Sequence, residues 1–275
     1  MRLHKVKSFR LLTALAAALI ITGCGSISTP VPESPSPPPS PTSSVSKADN
    51  WQFLLAPASS DVPLANDIEA VLSLTPDKLV GTARIIGAAY LNSGPCYNLT
   101  DPIPLSGTID PEGNIAVTSA AVRGQVLSFT GLLAPDRSSI SPGNYAFKGG
   151  CGDGQSGLLT GVKFKPIGGV YSGSLTEPSA SIAVSADLTQ SSTEDAPGFL
   201  GVKGTVTYTS SACTEEFTVT SSELAGRFIQ LLLSAEDGNV TTVFGNVDPK
   251  ATQIGLADYE GGCNGLTGVG ILSLQ

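Results

Sequence analysis

From Trp51 onward, apolar and polar residues alternate with a period of two. Ile68, Ala70, Leu72 and Leu74 alternate with Glu69, Val71, Ser73 and Thr75, and the pattern returns over Ile182, Val184, Ala186 and Leu188. Successive side chains of a strand point to opposite faces, so both runs predict strands with one apolar face, although Asp67 to Thr75 is rich in helix formers. Further alternating runs begin at Trp51, Gly81, Leu105, Ile115, Val126 and Leu158, and again at Tyr171, Gly204, Leu224, Val240 and Leu266. Turn chemistry separates them at Asp110-Pro-Glu-Gly-Asn114, Arg123-Gly124 and Glu236-Asp-Gly-Asn239. One segment reads two ways. Between Glu223 and Ala235, Leu224, Phe228, Leu231 and Leu232 also fit one face of a short helix.

The runs occur twice. Gly143-Asn-Tyr-Ala-Phe-Lys-Gly-Gly-Cys151 recurs as Gly255-Leu-Ala-Asp-Tyr-Glu-Gly-Gly-Cys263, each followed by Leu-Thr-Gly-Val and preceded by an upstream cysteine, Cys96 or Cys213. Landmarks in the two copies lie 120 (Trp51 to Tyr171), 117 (Cys96 to Cys213) and 112 (Cys151 to Cys263) residues apart. That period is too long for a solenoid module and suits a duplicated β-domain. The expected fold is all-β: two tandem antiparallel domains, split near Gly168-Gly169, each an up-and-down barrel with a flattened sandwich as the rival. The expected boundaries are 50–167 and 168–275. Leu105–Ile109 is matched to Leu224–Phe228, and each copy ends with a Gly-Gly-Cys strand and one more strand.

Composition suits a strand-rich extracytoplasmic body more than a helical one. Charged residues make up 14% and aromatic residues 6% of the 275, while 31 Gly and 20 Pro signal many turns. Met1 to Arg10 is basic and Leu11 to Thr22 is apolar but too short for a stable bilayer span, a secretory leader over residues 1–23. It ends in Ile21-Thr22-Gly23-Cys24, which resembles the lipobox of bacterial lipoproteins. The resemblance implies cleavage before Cys24, acylation of Cys24 with palmitate-type chains, and anchoring to a bacterial membrane, the outer membrane in a Gram-negative cell because Gly25 follows. Residues 24–49 then form a tether. Ser28 to Ser46 holds seven Pro and seven Ser, favours polyproline II, and spans up to roughly 75 Å at about 3.1 Å per residue. The body resembles, distantly, the lipocalin and calycin barrels and lipid-anchored bacterial β proteins.

Without the leader, 11 basic residues face 23 acidic ones, a formal net charge of −12. An acidic chain with no basic stripe argues against nucleic acid as a partner. Four cysteines remain beside Cys24, and the duplication selects the pairs Cys96–Cys151 and Cys213–Cys263, each worth about 3 to 4 kcal/mol by loop closure. If the first cysteine of each pair follows the third strand and the second ends the seventh, the bridge crosses a barrel mouth. It then requires a loop folded inward, a cap or a flattened barrel. Zinc is disfavoured because no Cys-x-x-Cys occurs.

The only histidine, His4, belongs to the leader, which removes Ser-His-Asp and Cys-His catalysis from the mature chain. Asp101, Asp153 and Glu215 are the acids weighed for a carboxylate hydrolase, and each is expected to be a loop acid instead. Phe147 and Tyr259 stand four residues before a cysteine in each copy, as pocket-lining candidates or, more simply, as core plugs. No catalytic residue, metal or cofactor is expected. The reading is a non-catalytic envelope lipoprotein held to the membrane by its N-terminal lipid, with two β-domains for a protein, glycan or wall partner. The alternatives are a calycin-type carrier of a small apolar ligand and a carboxylate-based hydrolase.

Overall fold

In a computed structural model, the alternating runs close into two eight-stranded antiparallel barrels. The structure describes residues 47–58, 67–86, 97, 101–176, 181–211, 213–258, 262–265 and 267–275. The first barrel comprises β1 (Asp49–Pro57), β2 (Asp67–Leu74), β3 (Lys78–Arg84), β4 (Ile103–Ile109), β5 (Asn114–Ser119), β6 (Val126–Leu133), β7 (Ser139–Lys148) and β8 (Ser156–Lys163). The second comprises β9 (Gly168–Thr176), β10 (Ser181–Ala196), β11 (Phe199–Thr209), β12 (Thr214–Ala225), β13 (Phe228–Ala235), β14 (Val240–Val247), β15 (Gln253–Asp258) and β16 (Gly268–Leu274). Each strand pairs with the next, and the last pairs with the first through Phe53↔Gly161 and Leu272↔Gly173. Closure rather than a sandwich leaves neither sheet an edge.

Side chains fill both interiors. Trp51 stacks on Phe53 at 6.2 Å between ring centroids, and Phe53 meets Phe129 at 5.1 Å. In the second barrel Tyr208 and Phe217 lie 5.3 Å apart among Leu188, Leu231 and Ile254. The Tyr171 hydroxyl donates to the Ala251 carbonyl at 2.8 Å, so a buried tyrosine has its polar end satisfied. Each such large side chain contributes about 1.5 to 3 kcal/mol by leaving water.

The second barrel sets its hairpin turns against the outer face of β1 to β3. Asn50 donates through Nδ2 to the Gly226 carbonyl at 2.7 Å and accepts the Gly226 N–H at 2.6 Å, so one amide side chain serves as a strand edge. Arg84 Nε donates to the Pro197 carbonyl at 2.7 Å, and its guanidinium lies 4.2 Å above the centre of the Phe199 ring. Val71 points away from its own barrel and joins the apolar cluster of the other. This contact explains why Asn50, Gln52, Glu69 and Arg84 are buried although they alternate with interior residues.

Four details depart from the sequence expectation. Leu224–Phe228 is not the partner of Leu105–Ile109: β12 ends at Ala225, Gly226-Arg227 makes the turn, and Phe228 opens β13. Gly226 has φ +52, and a Cβ there would stand 2.5 Å from Glu69 Cγ, so the turn needs glycine both for its backbone and for the contact. The short helix considered over Glu223 to Ala235 gives way to β12 and β13, because Ile229, Leu231 and Leu233 all point inward with period two. The two cysteines do not end strands either. β7 stops at Lys148, and Cys151 and Cys263 lie in the single helical turns Gly150–Gly152 and Gly262–Gly265. The repeated Leu-Thr-Gly-Val also falls out of register: Leu159 to Val162 lies within β8, whereas Thr267 still precedes β16.

Candidate functional site

The distinctive chemistry sits at the barrel mouths, where the Gly-Gly-Cys turns lie. In the second barrel Cys213 follows β11 and Cys263 sits in the helical turn α1 (Gly262–Gly265) after β15. They form a disulfide with an S–S distance of 2.05 Å and Cα atoms 5.7 Å apart. The third and seventh strands face each other across a barrel, so the bridge spans the mouth by folding α1 inward. Cys263 is 1% exposed and packs with the interior. The turn is a cap.

Glu215 locks it. Its Oε2 accepts the Cys263 N–H at 2.8 Å and its Oε1 accepts Asn239 Nδ2 at 2.9 Å, which ties the β11–β12, β13–β14 and β15–β16 connections together. Beneath the cap, Thr241 Oγ1 donates to Asp258 Oδ1 at 2.9 Å, and Asp258 is only 1% exposed. Burial pushes the Tyr208 hydroxyl far above its ordinary value, and the neighbouring Asp258 pushes it the same way. Cys213, Glu215 and Cys263 place their ligand atoms within 4.8 Å of one another. The two sulfurs are bonded to each other and both Glu215 oxygens accept hydrogen bonds, so this trio is a structural clasp rather than a metal centre.

The first barrel repeats the layout with different atoms. Gln125 is fully buried, and its Oε1 accepts the Gly152 N–H at 2.8 Å, holding the Gly150–Gly152 turn over the mouth. Asp153 Oδ1 accepts the Gly149 N–H at 2.7 Å, and Asp101 pairs with Arg123. Of the acids weighed for hydrolysis, Asp101 therefore neutralises an arginine, while Asp153 and Glu215 bind backbone at turns. Phe147 is 3% exposed and packs against Tyr145 at 5.8 Å and Tyr97 at 6.1 Å, the arrangement of a core plug. Burial raises the Tyr97 hydroxyl to about 12. Residues 1–46 with Cys24, Cys96, Tyr259 and the side chain of Cys151 lie outside the described residues, so the Cys96–Cys151 pairing stays an expectation.

Grooves occur on the outer walls. One of about 550 Å³ crosses β14 to β16, and two of about 440 and 560 Å³ lie on the first barrel along β5 to β7 and around β7, β8 and β1. Two buried acids escaped the sequence reading. Asp258 continues the inward series Ile254 and Leu256, which period two alone could have shown. Glu69 lies on the outward side of β2 and is 1% exposed only because the second barrel covers it.

Fold and mouths together define a protein of two side-chain-filled, antiparallel barrels arisen by internal duplication, the second closed by a disulfide. No family model matches the chain, and no curated protein matches it. A crystal structure of a mutant of the vaccine antigen transferrin binding protein B from Haemophilus parasuis aligns at 11% identity with a TM-score of 0.17. The alignment covers 82% of this chain and 74% of that one.

Proposed function

We propose that this is a non-catalytic lipoprotein of the bacterial envelope whose two barrels are displayed for a macromolecular partner. In this reading residues 1–23 are removed, Cys24 carries the lipid, the tether runs from Cys24 to Ser46, short of the expected residue 49 because Ala48 is buried and Asp49 opens β1, and the body faces outward from the membrane. The filling of both interiors carries the proposal. A carrier of calycin type needs a pocket that encloses most of its ligand, and here the interior positions are occupied by Trp51, Phe53, Phe129, Tyr171, Tyr208 and Phe217. Recognition then falls to loops and outer walls. The disulfide supports an oxidising compartment.

Native mass spectrometry of the protein purified from an envelope fraction tests the choice between display and carriage. The body is expected at its bare polypeptide mass plus the N-terminal acyl groups. A stoichiometric additional small molecule, retained when Cys24→Ser removes the acyl groups, would establish a carrier instead. Metabolic labelling with a palmitate analogue should mark the wild type and not Cys24→Ser.

A further inference from the structure

Two hairpin tips of the second barrel press on one row of outward residues in the first. The row is Gln52, Glu69 and Arg84, neighbours across β1, β2 and β3. At the β12–β13 tip, a Cβ on Gly226 would stand 2.5 Å from Glu69 Cγ and 3.4 Å from Gln52 Cβ. At the β10–β11 tip, Gly198 has φ +80, and a Cβ there would stand 2.8 Å from Arg84 Cγ. Both tips turn at glycine, where a side chain would hold the barrels apart.

This contact seals in an acid. Glu69 is 1% exposed, and its Oε2 accepts the Ile86 N–H at 3.1 Å. Around it stand Asp67 on its own strand, Arg84 beside it on β3 and Arg227 in the facing turn. Asp101, Glu194 of β10 and Glu223 of β12 lie about Arg84, and β1 brings the neutral Asn50 and Gln52. The arginines are engaged by other groups. Arg227 pairs with Asp67 at 3.0 Å, while Arg84 Nε donates to the Pro197 carbonyl and its guanidinium covers Phe199. Ionised, Glu69 would be a buried carboxylate among acids that outnumber the arginines; protonated, it is a neutral, hydrogen-bonded group. Without the second barrel the same side chain would stand in water on the outer face of β2, since its neighbours Ile68 and Ala70 face the core.

We propose that the junction is a proton-operated latch: the barrels dock with Glu69 protonated, and release of that proton parts them as two intact bodies. Each barrel can stand alone, because each sheet closes on itself around its own apolar core. In the docked body, burial and then Asp67 push the Glu69 carboxyl up from its ordinary 4.5 to about 8. The contribution of the proton to docking is therefore fully present below about 4.5 and lost as the pH rises through about 8. Between these limits each pH unit lowers the docking constant about tenfold. The chain is then one body in acid and two linked bodies in alkali, so the surrounding pH sets whether the barrels meet a partner together or separately.

Hydrogen exchange of the full-length chain from about pH 6 to about pH 8, read as protection relative to the intrinsic rate, tests the latch. Two amides cross the junction: the Ala48 N–H, accepted by the Ser192 carbonyl at 2.9 Å, and the Gly226 N–H, accepted by Asn50 at 2.6 Å. The Phe147 and Ala235 amides, bonded to Gln155 and Asn239 at the two mouths, report on the barrels themselves. Protection at Ala48 and Gly226 should fall together, about tenfold per pH unit, while protection at Phe147 and Ala235 holds. Glu69→Gln should abolish the fall. Asp67→Asn, which removes the like charge and frees Arg227, should end the fall at a lower pH, and serves if Glu69→Gln does not fold. Junction protection independent of pH, a parallel loss at the mouths, or an unchanged fall in either variant would each overturn the latch.

Discussion

Raising the pH should loosen the contact between the barrels, and Glu69 sets the size of the effect. Its carboxyl is pushed up from an ordinary value of 4.5 to about 8, first by burial and then by Asp67, against the Ile86 N–H and Arg227, which pull it down. The Ile86 N–H donates to its Oε2 at 3.1 Å. With the folded value above the unfolded one, the native state binds the extra proton between these limits. Stability is therefore fully present below about 4.5 and is lost as the pH rises through about 8. The slope approaches 1.4 kcal/mol per pH unit, so moving from pH 6 to pH 8 costs about 2 to 3 kcal/mol. For a chain of this size that lowers the melting temperature by about 5 to 10 °C. Asp110 and Asp136 are held below the ordinary carboxylate value by their Asn114 and Ser138 partners, so their titration falls on the acid side of this window. Thermal unfolding at pH 6, 7 and 8, for wild type and Glu69→Gln, measures the effect. Glu69→Gln should flatten the profile, and the protection of the Gly226 N–H relative to its intrinsic exchange rate should fall with pH only in the wild type. An unchanged slope in Glu69→Gln would refute the assignment.

Other perturbations probe the clasp and the barrel contact. Replacing both Cys213 and Cys263 by Ala should cost about 3 to 4 kcal/mol, read as a lower urea midpoint, since a loop of 50 residues is released in the unfolded chain. Glu215→Ala should cost about 1 to 2 kcal/mol and speed exchange of the Cys263 N–H without breaking the disulfide. Asn50→Ala removes both bonds to Gly226 and should destabilise by about 2 to 3 kcal/mol, with the loss visible as faster proteolysis between the barrels. Gly226→Ala should cost more than about 1 kcal/mol, because a side chain there is strained and strikes Glu69; Gly238→Ala, with φ +91 but open space, separates the strain from the clash.

What the sequence displays is the inside of each barrel. Ile68, Ala70 and Leu72, or Ile229, Leu231 and Leu233, declare their faces by alternation alone, because an interior position is apolar whatever lies outside. The outer face obeys no such rule. Glu69 and Asn50 read as solvent-facing because polarity on the outward side of a strand is the ordinary consequence of exposure, and only the second barrel's turns convert them into buried partners. The cap follows the same logic. Pairing Cys213 with Cys263 can be read from the repeat, and so can the need for an inward fold, yet the single helical turn that meets it depends on Cys263 at φ +55 and on a carboxylate 48 residues away. The mismatch at Leu224–Phe228 has a physical origin as well. In both copies an apolar residue precedes a small-glycine pair, but Gly107 lies in a strand against Ala116 and Val117, while Gly226 turns the chain against Glu69. A glycine that is crowded by a neighbouring strand and one that bends the backbone look alike in sequence. A repeat therefore predicts which strands recur more securely than where each one turns, and the turns are where this chain joins its barrels and closes its mouths.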